Sequence, residues 1–229
     1  MDINDKTGLS RIIEPEIFKD ELYSLIVDLL THNKLYNLIE IGASSGNGST
    51  EAIITGLRAG SNRAARVFAI ELSKERHRAL SKRWSGEPQL NAIYGSSIDI
   101  YDFPSIEQVT SMWNEGETKL SNLPICIVLN WYKQDLDYMI QNEQTTSSIK
   151  LIKKLYQIKD FDFALIDGSE FTGLADFQLL YGSKFIVLDD ITTYKCFQAR
   201  NILAMDEGYV LISENINLRN GYAAFKRVE

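Results

Sequence analysis

Cysteine, histidine and proline are scarce in this chain of 229 residues, which contains two, two and four of them, respectively. Cys126 and Cys196 lie far apart and show no C-x-x-C spacing, which argues against a disulfide framework or a cysteine-based metal site. No secretory leader precedes them, so we expect reduced thiols in a cytoplasmic protein. The longest apolar runs fall well short of the roughly 20 residues that span a bilayer, so the sequence predicts a soluble protein without a membrane partner.

The chain also has fewer basic than acidic residues. The formal net charge is -7 and the isoelectric point is about 5.0, and no basic stripe interleaved with aromatic residues is present. Proteins that bind nucleic acid use such stripes to neutralise phosphates, so we expect no nucleic-acid partner. Apolar residues make up 45% of the chain and aromatic residues 10%, a content that allows a core to form without metal or disulfide support.

The most informative segment runs from Leu38 to Thr50 and reads LIEIGASSGNGST. An apolar run ends in an acid, Glu40, and is followed by glycines at positions 42, 46 and 48. Glycine allows a positive φ and a close approach of the backbone to a ligand, and the start of a following helix presents unpaired N–H groups. The segment therefore predicts a strand, a loop that binds a nucleoside-containing ligand, and a helix start.

Strand-like and helix-like runs alternate along the rest of the chain. Apolar spacing predicts a helix over residues 15–31 and seven strands: one that begins at Leu38 and others over residues 65–72, 91–94, 161–166, 184–188, 209–216 and 222–228. This order predicts an α/β fold with a doubly wound, mostly parallel seven-stranded sheet and a C-terminal antiparallel hairpin. We expect a single domain over residues 1–229, with an N-terminal helical segment at 1–36 and a mostly helical insertion at about 100–159.

Two features of the expected insertion bear on its structure. Ser105 and Gln108 have the spacing of a capping box and predict a helix start. Trp113, Trp131 and Tyr132 either pack the insertion onto the body of the protein or line a pocket.

The Glu40-x-Gly42-x-x-x-Gly46 loop, the acid Glu71 at the end of the second strand and the terminal hairpin resemble the class I S-adenosylmethionine-dependent methyltransferases, in a form close to the O-methyltransferases. The resemblance covers roughly residue 38 to the end of the chain. It implies a Rossmann-like methyltransferase fold, with Glu71 holding both ribose hydroxyls. The cofactor-binding residues that it implies are Glu40, Gly42, Ser44, Gly46, Gly48, Ser49, Glu71, Leu72, Ser96, Ser97 and Asp167.

A dinucleotide-binding loop is the main alternative, because an acid about twenty residues after a glycine-rich turn also marks nicotinamide-binding proteins. Their motif is G-x-G-x-x-G, whereas this loop runs G-x-x-x-G-x-G with an acid two positions before the first glycine. A carboxylate at that position repels a pyrophosphate but suits a ligand with an amino group and a sulfonium. The spacing favours S-adenosylmethionine.

Acidic residues end two of the later predicted strands. Asp167 follows one strand, and Asp189 and Asp190 follow the next. In a doubly wound sheet these carboxylates share one edge, where they would raise one another's pKa unless a cation joined them. The pattern resembles the metal-dependent O-methyltransferases of the macrocin and catechol types, and this resemblance implies that Asp167, Asp189 and Asp190 bind magnesium. Asp190 also suits a plain helix cap, so both interpretations stay open.

The residues after the first of these acids depart from the macrocin-like pattern. Relatives of that type place a second acid, and often a histidine, after the Asp-Gly pair, and this run supplies the catalytic base. Here Asp167 and Gly168 are followed by Ser169 and Glu170. The candidate catalytic residues are therefore Asp167 and Glu170, with Lys195 and Tyr194, just beyond the paired aspartates, as further candidates.

The sequence thus predicts a transferase: a methyltransferase that uses S-adenosylmethionine to methylate a hydroxyl of a small molecule, a sugar or a natural product, with magnesium as a second cofactor. Two alternatives remain. One is a non-catalytic binding module with the methyltransferase fold, and the other is a nicotinamide-dependent oxidoreductase.

Overall fold

The computed structural model describes residues 8–228; the first seven residues of the predicted N-terminal segment and the last residue of the chain lie outside the described part. Its strands are β1 (Asn37–Ile41), β2 (Arg66–Glu71), β3 (Leu90–Tyr94), β4 (Phe163–Ile166), β5 (Phe185–Asp189), β6 (Tyr209–Asn215) and β7 (Tyr222–Arg227). Its α-helices are α1 (Glu21–His32), α2 (Ser49–Ala59), α3 (Lys74–Arg83), α4 (Ile106–Glu115), α5 (Ile125–Gln141), α6 (Ser148–Tyr156), α7 (Gly173–Leu180) and α8 (Phe197–Met205). Among residues 8–228, no helix is long and apolar enough to cross a membrane.

The seven strands form one sheet in the order β3-β2-β1-β4-β5-β7-β6. Strands β1 to β5 pair with one another in parallel, and β7 is antiparallel to both β5 and β6. This architecture confirms the predicted fold class. The strand order reverses between β1 and β4, so the carboxyl ends of these strands flank the crevice in which sheets of this kind bind ligands.

Helices cover both faces of the sheet, because the side chains of each central strand alternate between two apolar layers. On one face, Leu38 and Val67 belong to a cluster with residues of α1 and α2. On the other face, Ile39 and Ile70 belong to a cluster with residues of α6, α7 and α8. Helix α6, at the end of the segment predicted as an insertion, therefore serves as the crossover helix between β3 and β4.

The first helix begins later than the predicted residue 15. Helix α1 starts at Glu21, and the carboxylate of Asp20 accepts a hydrogen bond from the backbone N–H of Tyr23 at 2.8 Å, which satisfies an open donor of the first turn. Pro15 and the backbone of Ile17 lie beside Gly48 instead. The prediction was wrong at this end because the apolar residues before Asp20 contact the loop after β1 and do not continue the helix.

Helices α4 and α5 share an apolar cluster of their own. Ser105 and Gln108 form the predicted capping box at the start of α4. Tyr132 is buried and packs in the same cluster as Trp113, whereas 41% of Trp131 is exposed. Tyr132 and Trp113 therefore pack the segment onto the body of the protein, whereas Trp131 does not, and none of the three lines the pocket described below.

Candidate functional site

A pocket of about 190 Å³ opens at the carboxyl ends of β1, β2, β3 and β4. The structure brings ten of the residues predicted from the sequence to its wall: Gly42, Ser44, Gly48, Ser49, Glu71, Leu72, Ser96, Ser97, Asp167 and Lys195. Six others do not line it: Glu40, Gly46, Glu170, Asp189, Asp190 and Tyr194. The pocket therefore collects the loops that follow four parallel strands, next to the reversal of the strand order.

The loop after β1 follows a course that only glycine permits at one position. Gly42 has a φ of +85°, and a Cβ atom there would lie 2.0 Å from the backbone oxygen of Asp167. The loops after β1 and β4 can therefore touch only because residue 42 has no side chain. Ser44 also has a positive φ, of +50°, and its backbone N–H points at the carboxylate of Glu71.

Glu71 ends β2 and lies in the pocket wall with only 4% of its surface exposed. Its Oε2 accepts a hydrogen bond from the Ser44 N–H at 2.7 Å, and its Oε1 accepts one from the Ser73 N–H at 2.6 Å. Burial raises the pKa of Glu71, although these donors and the Arg76 guanidinium oppose the shift. Each carboxylate oxygen can accept more than one hydrogen bond, so Glu71 can also bind two neighbouring hydroxyls of a ligand.

Gly46 supports the loop from behind. A Cβ atom on this residue would lie less than 3 Å from the side chains of Leu80 and Trp84. The indole N–H of Trp84 donates to the Gly46 backbone oxygen at 2.8 Å. Gly46 therefore acts on the pocket by letting the loop pack closely on α3.

Glu40 is fully buried and lies beneath the start of α2. It accepts hydrogen bonds from the hydroxyls of Ser49 at 2.5 Å and Thr50 at 2.7 Å. Side chains alternate along β1, so Glu40 faces the same layer as Leu38, and it lies behind Ser49 without lining the pocket itself. Burial raises the pKa of Glu40 to about 7, and the carboxylates of Asp167 and Glu71 add to the shift. This residue ties the helix start to the strand.

The raised pKa of Glu40 predicts a pH dependence of stability. The ordinary pKa is 4.5 and the folded-state pKa is about 7, so between these values the folded state binds more protons than the unfolded state. The stability contributed by Glu40 is therefore present below pH 4.5 and is lost as the pH rises through 7. Between pH 5 and pH 7, the wild-type protein should lose about 2 kcal/mol more of its unfolding free energy than Glu40→Gln does. Urea unfolding at the two pH values measures this difference. An unchanged pH profile would contradict this assignment.

The predicted acidic cluster is assembled in the structure. One oxygen from each of Asp167, Asp189 and Asp190 lies within 4.8 Å of the others. The Lys195 Nζ lies 2.8 Å from Asp167 Oδ1 and 2.6 Å from Asp190 Oδ2. Arg219 donates to Asp189 Oδ1 at 2.8 Å. Cationic side chains of the chain itself therefore contact all three carboxylates.

Burial is the largest influence on the pKa values of this cluster, and the carboxylates and the cationic side chains act in opposite directions. Burial raises the pKa of Asp167 and of Asp189, and the neighbouring carboxylates raise both further. Burial alone lowers the pKa of Lys195, but the carboxylates of Asp167, Asp190 and Glu170 raise it well above its ordinary value. Lys195 is therefore an ammonium at neutral pH, as the pairing of buried charges requires.

Glu170, predicted as a catalytic base, does not line the pocket. Its Oε1 accepts a hydrogen bond from the backbone N–H of Lys195 at 3.1 Å. Burial raises the pKa of Glu170. In this position the side chain helps to hold the loop that carries Lys195 and does not reach the pocket wall.

Sequence reasoning missed three acids of the pocket wall: Glu14 and Glu16, before α1, and Asp135, on α5. The Asp135 Oδ2 accepts a hydrogen bond from the Ser169 hydroxyl at 2.5 Å. Burial raises the pKa of Asp135. The partners are 34 positions apart in the chain, so no local pattern links them. The pair places a carboxylate close to the position that the resemblance assigns to the base.

The segment before α1 closes another side of the pocket. Glu14 and Glu16 belong to the wall. Arg76 on α3 holds the segment, since its guanidinium donates to the backbone oxygens of Gly8 at 2.7 Å and Arg11 at 2.9 Å. The wall beside the glycine loop therefore carries acidic side chains from the segment that precedes α1.

No protein-family model matches the chain, and no curated protein matches it in sequence. Solved structures match it in fold. A candidate caffeoyl-CoA O-methyltransferase from Staphylococcus aureus has a TM-score of 0.57 and 13% identity, over 96% of this chain and 86% of its own. An O-methyltransferase from Bacillus cereus in complex with S-adenosylhomocysteine has a TM-score of 0.54 and 12% identity, over 90% and 80% of the two chains.

A third structure is TomG from Streptomyces achromogenes, an O-methyltransferase involved in tomaymycin synthesis, in complex with S-adenosylmethionine. Its TM-score is 0.52 and its identity 11%, over 91% of this chain and 80% of its own. Identities this low show a shared fold and no more. The chain has the Rossmann-like fold of the class I S-adenosylmethionine-dependent O-methyltransferases.

Proposed function

We propose that this protein is a methyltransferase that uses S-adenosylmethionine to methylate a hydroxyl group of a small molecule. The observation that carries the proposal is the position of Glu71, a buried carboxylate in the pocket wall that can accept both hydroxyls of a ribose. In this proposal the loop at 42–48 holds the methionine part of the ligand, and Ser96 and Ser97 lie beside the adenine. The proteins of the same fold that hold S-adenosylhomocysteine or S-adenosylmethionine support it.

The charges in the pocket support a particular class of acceptor. Glu14, Glu16 and Asp135 line the pocket in addition to the proposed cofactor residues. The cationic side chains in its wall already have partners, since Arg76 donates to backbone oxygens and Lys195 pairs with aspartates. Hydroxyl groups donate hydrogen bonds to carboxylates, whereas phosphate groups are repelled by them. We therefore infer a hydroxylated acceptor without phosphate groups, such as a sugar or a natural product.

Asp135 takes the role of base in this proposal, because it lines the pocket and Glu170 does not. When bound, S-adenosylmethionine supplies a methyl group whose bond to sulfur breaks as the bond to the acceptor oxygen forms. Asp135 accepts the proton of the acceptor hydroxyl, and Ser169 holds the carboxylate in place through its hydrogen bond. The walls of the pocket align the acceptor, which is the main contribution of the protein to a reaction of this kind.

Magnesium has no role in the proposed reaction, although the resemblance implies that Asp167, Asp189 and Asp190 bind it. Oxygen ligands of this kind suit a hard cation. Lys195, however, already pairs with Asp167 and Asp190, and Arg219 pairs with Asp189. The residues present therefore do not fit a metal ion within the cluster as it is arranged.

Methyl transfer to a panel of sugars, phenols and other hydroxylated metabolites tests the proposal. We expect at least one acceptor to yield methylated product and S-adenosylhomocysteine in equal amounts, measured by mass spectrometry. Asp135→Asn should lower kcat by about 10²-fold to 10⁴-fold, the usual contribution of a general base, with little change in affinity for S-adenosylhomocysteine. Asp137→Asn is the matched control, because Asp137 lies on the same helix outside the pocket wall.

A second candidate function is a non-catalytic module that binds a nucleoside ligand or a partner protein. Ser169, which stands where the resemblance implies an acidic base, favours this candidate. Binding of S-adenosylhomocysteine without transfer to any acceptor would support the module and contradict the enzyme. A third candidate function is a nicotinamide-dependent oxidoreductase. In that case a nicotinamide dinucleotide would raise the melting temperature of the protein, and S-adenosylmethionine would not. A cytoplasmic location without nucleic-acid or membrane partners remains a prediction from the sequence.

A further inference from the structure

Lys195 occupies the place in which the resemblance implies a divalent cation. Its Nζ is 2.8 Å from Asp167 Oδ1 and 2.6 Å from Asp190 Oδ2, and only 11% of its side chain is exposed. Magnesium binds carboxylate oxygens at about 2.0 to 2.1 Å. An ion held by the same two oxygens would therefore compete with the ammonium for one space and would be repelled by its charge.

Lys195 and one carboxylate of the acidic cluster reach the pocket together. Asp167 and Lys195 line the pocket wall, whereas Asp189 and Asp190 do not. An ion bound by Asp189 and Asp190 alone would lie behind the ammonium. The positive charge that the acidic cluster presents to a ligand is therefore the charge of Lys195, while Arg76 adds a second positive charge to the pocket wall beside Glu71.

The fold fixes the backbone of Lys195 in this position. Its N–H donates to Glu170 Oε1 at 3.1 Å. A Cβ atom on Gly173 would lie 1.6 Å from the backbone oxygen of Lys195, so α7 begins in direct contact with this loop. Asp190, at the start of the loop, has a φ of +58°, which turns the chain after β5. Three separate features of the backbone thus place the lysine on the carboxylates.

We infer that the Lys195 ammonium is the resident cation of the acidic cluster, and that it, rather than a divalent metal, faces the acceptor hydroxyl. The catalytic part of this inference rests on the proposed function, whereas the metal-binding part does not. An ammonium has three N–H donors, of which Asp167 and Asp190 engage two. The third can orient the acceptor oxygen and stabilise its negative charge as Asp135 takes the proton.

The cluster keeps oxygen atoms that a metal would use if the ammonium were removed. Asp189 Oδ2 and Asp190 Oδ1 are buried and have no hydrogen-bond partner within the described part of the chain. Lys195→Ala would leave these atoms, together with the freed oxygens of Asp167 and Asp190, around a cavity. The variant is therefore expected to bind magnesium where the wild-type protein does not.

Thermal unfolding in MgCl₂ and in EDTA, at constant ionic strength, tests the metal-binding part without any need for activity. The melting temperature of the wild-type protein should agree within about 1 °C between about 10 mM Mg²⁺ and EDTA. Lys195→Ala should melt at a lower temperature in EDTA, and Mg²⁺ should raise that temperature saturably by several degrees. Lys150→Ala is the matched control, because Lys150 also bridges two aspartates, Asp99 and Asp102, but at the surface; Mg²⁺ should leave it unchanged.

Stabilisation of the wild-type protein by Mg²⁺, or no effect of Mg²⁺ on a folded Lys195→Ala, overturns the inference. If that variant does not fold, Lys195→Ser replaces it. The wild-type comparison between Mg²⁺ and EDTA tests the inference without either variant. With an acceptor in hand, turnover of the wild-type protein should be the same in EDTA, and Lys195→Ala should lower kcat by about 10²-fold to 10³-fold. Loss of wild-type turnover in EDTA also overturns the inference. Absence of turnover under all conditions contradicts the proposed function alone, since the Mg²⁺ response does not depend on activity.

Discussion

Glu71→Gln is expected to weaken the binding of S-adenosylmethionine about 100-fold, the equivalent of about 3 kcal/mol. The substitution keeps the size of the side chain but removes its charge and one of the two acceptor oxygens that the ribose hydroxyls require. Titration calorimetry with S-adenosylhomocysteine measures the change directly. The free energy of unfolding should also fall, by about 1 to 3 kcal/mol, because the amide nitrogen of Gln cannot accept one of the two backbone hydrogen bonds from Ser44 and Ser73.

Glu75→Gln is the matched control, since Glu75 is an exposed residue of α3 that pairs with Arg78 at the surface. Its affinity for S-adenosylhomocysteine should equal that of the wild-type protein. A Glu71→Gln variant that binds normally but unfolds easily would show that Glu71 only supports the loops, and the cofactor assignment would then lose its main residue.

Gly42→Ala is expected to lower the free energy of unfolding by about 3 to 5 kcal/mol. Two costs combine at this position. The φ of +85° is unfavourable for any residue with a Cβ atom, and the new atom would lie 2.0 Å from the backbone oxygen of Asp167. The loops after β1 and β4 would have to separate, so the pocket should also lose affinity for the cofactor. Urea unfolding followed by circular dichroism gives the stability.

Gly86→Ala is the matched control, because a Cβ atom on Gly86 meets no atom within 4 Å. Its free energy of unfolding should lie within about 0.5 kcal/mol of the wild-type value, as is usual for surface substitutions. Equal stability of the Gly42 and Gly86 variants would show that the two loops are not in the tight contact seen in the structure.

Local patterns in the sequence were sufficient to predict the fold. Each central strand is an apolar run that ends in an acid or a glycine, and each of these ends lies at the same edge of the sheet. Gly42 and Glu71 were therefore identified from their place in such runs, and the structure brings both to the pocket. The convergence of Asp167 with the Asp189–Asp190 pair could be predicted for the same reason, since parallel strands align their carboxyl ends.

The rest of the site depends on contacts that no local pattern records. Glu40 bonds to Ser49 and Thr50 and does not line the pocket, although its spacing to the glycines matches the motif. Asp135 reaches the pocket from a helix outside the sheet, and its partner Ser169 is distant in the chain. Lys195 was identified as a catalytic candidate, but its insertion between Asp167 and Asp190 depends on the close approach of its loop to Gly173. These positions result from the packing of distant parts of the chain, and only a three-dimensional structure shows them.

Titration of S-adenosylhomocysteine into the wild-type protein in the presence of EDTA tests the central claim most directly. The proposed pocket predicts one site with a micromolar dissociation constant, and the same constant when Mg²⁺ replaces EDTA, because Lys195 already occupies the acidic cluster. Absence of binding under both conditions would contradict the assignment of the pocket to S-adenosylmethionine.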